Sequence, residues 1–105
     1  MLRVYGDILR IIAALRPVFD QIAKHDPALA DQGRRASKSV ALQVAEGSEA
    51  HKRNRVARYK GAAGEMVETL AVVDVASADG AIAGIDEGLR DDMHRVIATL
   101  RKCAR

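Results

Sequence analysis

Val4, Ile8, Ile11, Leu15, Val18 and Ile22 follow one another at steps of four and three residues. That spacing returns to one side of a 3.6-residue helix, and no other feature narrows the fold so far. Tyr5, Ile12 and Phe19 add a second line at steps of seven, which widens the apolar stripe. A wide stripe calls for burial against more than one neighbour. The segment from about Leu2 to Lys24 is therefore expected to be a helix inside a bundle. Pro17 removes one helical hydrogen bond, so a kink is expected between Ala13 and Pro17. The alternative is two shorter helices broken at Arg16, but the stripe keeps its phase across Pro17.

Three further segments carry helical spacing. His25-Asp26-Pro27 ends the first helix, and Asp26 before Pro27 reads as an N-cap with proline in the first turn. The second helix is expected from about Pro27 to Ser48, with a seam of Leu29, Gly33, Ala36, Val40, Val44 and Gly47. Most of these side chains are small, so a neighbour can come close. Residues 49–54 form a polar connection, with Asn54 a candidate N-cap for a third helix over Arg55 to Ala78. Val56, Tyr59, Ala63, Met66, Leu70, Val73 and Ser77 are its seam. Asp79-Gly80 is a turn signal and Ala81 to Gly84 is ambiguous. Asp86 is a candidate N-cap for a fourth helix ending near Lys102, with Leu89, Met93, Val96, Leu100 and Cys103 on its core face. No β-type alternation is present. The expected fold is all-α, an antiparallel up-down-up-down four-helix bundle filling residues 1–105 as one domain, with the first helix kinked at Pro17.

Only 3% of the 105 residues are aromatic, so the core must be aliphatic. Aliphatic burial returns roughly 25 cal/mol per Å², which leaves a monomer of this size marginal and makes association between copies a natural remedy. The lone Cys103 forms no internal disulfide, the N-terminal segment is broken by Asp7 and Arg10, and no apolar run spans a bilayer. A cytoplasmic protein without membrane contact is expected.

Motifs for catalysis are missing: no P-loop, no GxGxxG after a strand, no HExxH and no CxxC. His25, His51 and His94 are widely spaced and read as solvated side chains. Asp91 and His94 have the i, i+3 spacing of metal ligands but lack a second pair, so neither a metal nor any other cofactor is expected. Cys103 reads as a buried structural thiol. Glu65 could pair with Arg34 or Arg35 of the second helix and fix register. The chain is expected not to be an enzyme.

Charge is the sharpest local signal. Residues 1–60 carry twelve Lys/Arg against six Asp/Glu, and residues 61–105 carry five against eight. Lys52, Arg53, Arg55, Arg58 and Lys60 fall in one stretch without an acid, and Arg34, Arg35 and Lys38 form a second cluster. Such density suits phosphate contacts, and equally suits a solvated surface or salt bridges between subunits.

The run Gln32-Gly33-Arg34-Arg35-Ala36-Ser37-Lys38-Ser39-Val40-Ala41-Leu42-Gln43-Val44-Ala45-Glu46-Gly47 resembles the signature of the 23S rRNA-intervening-sequence protein family, roughly Q-L-R-R-A-x-x-S-I-x-x-N-I-A-E-G. Gly61 to Glu65 is similar to that family's Gly-Ser-x-x-Glu segment. Gly33 stands where leucine is usual, Gln43 where asparagine is usual, and Ala62 where serine is usual. The resemblance implies a four-helix bundle commonly assembled as a homopentameric ring. It assigns Gln32, Arg34, Arg35, Ser39, Gln43, Glu46, Gly47 and Glu65 structural or interface roles. A related branch, the accessory variability proteins of diversity-generating retroelements, binds nucleic acid and a reverse transcriptase. Two functions follow as expectations. One is a homo-oligomeric bundle that binds RNA or DNA through Arg34, Arg35, Lys38, Lys52, Arg53, Arg55, Arg58 and Lys60, or supports a nucleic-acid-processing protein. The other is an assembly module without nucleic-acid contact.

Overall fold

A computed structural model describes residues 2–105, and among them every regular element is a helix. The four are α1 (Arg3–His25), α2 (Pro27–Ser48), α3 (Lys52–Ala78) and α4 (Glu87–Cys103). Each packs against the next, and α4 closes the ring on α1, which is the up-and-down bundle. The body measures 42 × 25 × 19 Å.

The seam of α1 is buried as its spacing requires: Val4, Ile8, Ile11, Leu15, Phe19 and Ile22 all face the core, with Val18 partly buried. Helix α1 runs through Pro17 as one element. Pro17 and Ala13 both lie on the exposed face, so the carbonyl that loses its helical donor faces water. Met66 and Val73 from α3 and Met93, Val96 and Leu100 from α4 meet this seam in one aliphatic core.

Both turns away from the α2–α3 connection follow local chemistry. Asp26 accepts a hydrogen bond from the Leu29 amide at 3.0 Å with Pro27 opening α2, and Asp86 accepts one from the Leu89 amide at 3.2 Å. Each satisfies one orphan amide of a first turn. Helix α3 ends in a glycine cap. The Ala81 amide bonds the Ala76 carbonyl at 2.9 Å, the Gly80 amide bonds Ser77 at 3.2 Å, and Gly80 takes φ +82°. The ambiguous stretch is an irregular segment that tucks Ala81 and Ile82 into the core.

The start of α3 corrects an expectation. Asn54 is not its N-cap: the helix begins at Lys52, so Asn54 lies exposed inside the first turn, and the capping position is His51, whose side chain makes no capping bond. Lysine and arginine extend a helix readily, so the polar run 52–54 joins the helix instead of the connection. Cys103 is only partly buried, at the end of α4.

Candidate nucleic-acid interface

Glycines set how α2 meets α3. A Cβ on Gly47 would lie 2.7 Å from Cε1 of Tyr59, and one on Gly33 would lie 2.5 Å from Cε1 of Phe19 and 2.9 Å from Cγ1 of Val72. On Gly61 it would run into the side-chain amide of Gln43, whose Cδ would be 3.0 Å away. These contacts pair position 47 with 59, 43 with 61 and 33 with 72, so the two helices run antiparallel at close approach. Gly33 also explains its departure from the leucine of the resemblance: the Phe19 ring already fills that space.

Antiparallel packing brings distant parts of the chain to one end. The α2–α3 turn lies beside the start of α1 and the end of α4. Tyr59 shows the proximity: burial raises the pKa of its phenol, the nearby Arg55 cation opposes that rise, and Cys103 at the end of α4 adds to it. Dividing every helix at its midpoint sorts the charges. The half holding the α2–α3 turn has eleven Lys/Arg and three Asp/Glu, net +8. The other half has six and eleven, net −5. The asymmetry visible along the sequence is thus an asymmetry along the bundle axis, and it is steeper in space than in sequence.

The expected site residues fare differently. Arg34 is half-buried, bonds Asp20 of α1 at 2.8 Å and stacks over Phe19 with its guanidinium carbon 5.9 Å from the ring centroid. It locks α1 to α2 and has little left for a ligand. Arg35 pairs with Asp31 one turn earlier at 2.8 Å. Arg58 bridges α3 to Glu46 of α2 at 3.1 Å, and Arg55 donates to the Ala50 carbonyl at 3.3 Å, closing the turn. Lys38, Lys52, Arg53 and Lys60 are exposed and make no ion pair among the described residues. Arg34 and Arg35 lie in the acidic half, so the two basic clusters of the sequence do not merge into one surface.

Sequence reasoning missed Arg101, Lys102 and Arg105, which topology adds to the same end, exposed and unpaired among the described residues. Their signal in the sequence was only a helix C-terminus complemented by cations. Arg3 and Arg10 also lie in this half, Arg10 paired with Asp7.

Apart from Arg34, which faces α1, the residues singled out by the resemblance gather where α2 meets α3. Gln32, Arg35, Ser39 and Glu65 line one shallow groove of about 420 Å³ together with Glu68. Gln43 and Glu46 line the next, with Arg58. The Gln43 amide donates to the Ser39 hydroxyl at 3.4 Å. Glu65 is half-buried but pairs with neither Arg34 nor Arg35, because Asp20 and Asp31 hold those two guanidinium groups. Among the described residues no three His, Cys, Asp or Glu side chains converge as metal ligands, and no helix is long and apolar enough to cross a membrane. No family model, curated protein or solved structure matches the chain.

Proposed function

We propose that this chain is a non-enzymatic helical scaffold, working as an assembly of copies, that binds nucleic acid at its basic end or holds it for a processing partner. The observation that carries this is the +8 half of the bundle, where Lys52, Arg53, Lys60, Arg101 and Lys102 stand exposed without ion pairs among the described residues. Unpaired cations clustered at one end suit phosphates and counterion release. The resemblance of the α2 run to the 23S rRNA-intervening-sequence family supports the same direction. The sequence carries no helix-turn-helix or RNA-binding signature, so the recognition proposed is by contacts to backbone phosphates, which carry no base sequence.

Binding of a single-stranded RNA and of a duplex DNA across a salt series tests this. Affinity should fall linearly on a log–log plot against salt. Changing Lys52, Arg53, Arg101 and Lys102 together to Ala should reduce the slope by about 3. An absence of binding at low salt, or an unchanged slope in the variant, sinks it. The alternative is an assembly module without nucleic-acid contact. It is favoured by Arg34, Arg35 and Arg58, three of the expected contacts, being spent on ion pairs within the chain.

A further inference from the structure

Helix α3 has two apolar faces. Its inner face carries Tyr59, Ala62, Met66, Leu70 and Val73 into the core. Its outer face carries Ala57, Gly64, Val67, Ala71, Val75 and Ala78, all exposed. These recur at steps of seven, three, four, four and three, the spacing of a helix-packing seam, over about 30 Å of helix. Val67 is 41% and Val75 53% exposed, two of the four large hydrophobic side chains left in water among the described residues. A helix apolar on both sides is a helix meant to be covered on both sides.

The charges of α3 say by what. Lys52, Arg53, Arg55, Arg58 and Lys60 precede residue 61 without an acid among them, and Glu65, Glu68, Asp74 and Asp79 follow without a base. Arg58 is held by Glu46 and Asp74 by Arg90, but Lys52, Arg53, Lys60, Glu65, Glu68 and Asp79 have no ion pair among the described residues. A surface of this kind is complementary to itself reversed. We infer that the outer face of α3 is a contact between two copies of this chain, paired antiparallel about a twofold axis. The basic half of each copy then lies beside the acidic half of the other, whereas a parallel pair would set +8 against +8. The other exposed hydrophobics, Leu9 and Leu42, both lie in the basic half. Twofold self-contact there would overlay like charges, whereas the α3 stripe runs from Val67 and Val75 in the acidic half to Ala57 and Gly64 in the basic half, so that twofold pairing along its whole length sets unlike charges opposite each other. A nucleic acid cannot be the occupant, since the seam continues into the acidic half.

This deepens the assembly part of the function proposed above; because it sets acidic residues of one copy beside Lys52, Arg53 and Lys60 of the other, it leaves Arg101, Lys102 and Arg105 of α4 and its end as the cations open to nucleic acid in the pair. The expected result is a dimer by light scattering at tens of micromolar, converted to a monomer by Val67→Asp with Val75→Asp. Both positions are exposed, so circular dichroism should show an unchanged helical fold. Orientation is read from a spin label at Lys52→Cys in a Cys103→Ser background. An antiparallel pair separates the two labels by about 40 Å, the length of α3, and a parallel pair brings them within about 20 Å. A monomeric parent chain, a dimer indifferent to the double substitution, a short label distance or a five-copy ring each overturns the inference. The monomeric variant keeps its basic end and should still bind RNA at low salt. Loss of dimerisation and loss of RNA binding are thus separate outcomes.

Discussion

Two of the four helix contacts differ sharply. Between α2 and α3, glycines 33, 47 and 61 remove side chains where Val72, Tyr59 and Gln43 press in, Phe19 of α1 also lies against Gly33, and Arg58–Glu46 clips the join from outside. Between α1 and α4 an open groove of about 580 Å³ remains, floored by Val4, Ile11 and Val96 and rimmed by Asp7, Arg10, Asp86, Asp92 and Arg95. The α1–α4 contact is also the least extensive of the four. The bundle is therefore a tight helical hairpin, α2–α3, with α1 and α4 laid on it. The two seams should respond very unequally to added volume.

Gly33→Leu sharpens that contrast most. It forces a branched side chain into the Phe19 ring and Val72, and should cost about 3 kcal/mol in denaturant unfolding. Phe19→Ala in the same chain should recover part of the loss, because the ring occupies the space the leucine needs. A Gly33→Leu chain as stable as the parent would show that α2 is not tightly packed there against Phe19 of α1 and Val72 of α3. A smaller effect concerns Tyr59, packed under Gly47. Its pKa is raised by burial, so the folded state holds the phenolic proton more firmly than the unfolded chain does. Stability should then fall as pH rises past about 10, and Tyr59→Phe should flatten that fall in thermal melts recorded across the range. An unchanged alkaline limb in Tyr59→Phe would contradict it. The smallest effect belongs to the open seam. Ala14→Leu adds volume to the α1–α4 groove, where Ala14 is exposed, and should shift stability by no more than about 0.5 kcal/mol. A loss as large as that of Gly33→Leu would erase the difference between the seams.

Local chemistry made most of the fold legible. The α1 stripe, the caps at Asp26 and Asp86 and the Asp79-Gly80 turn each act within a few residues, and each stands where the spacing put it. The start of α3 was missed because no capping side chain marks it, so a polar run of good helix formers read as a loop. The candidate site was legible only in part. Lys52, Arg53 and Lys60 announce themselves as a basic run. Arg101, Lys102 and Arg105 join them only once the topology folds α4 back past the α2–α3 turn. The fate of Arg34 depends on Asp20, fourteen residues earlier on another helix, and no periodicity reveals which acid takes which guanidinium. The outer stripe of α3 shares its spacing with the core seam, so sequence alone does not separate a face turned inward from one turned to a partner.

The split of charge between the two halves of the bundle makes a single copy a large permanent electric dipole directed along its long axis, which antiparallel pairing would cancel. In the field of a polyanion such a body turns before it touches, presenting one tip and withdrawing the other. Encounters are then sorted by orientation while the partners are still about a Debye length apart, roughly 8 Å at physiological salt. An elongated shape with opposite poles behaves less like a sticky surface than like a compass needle.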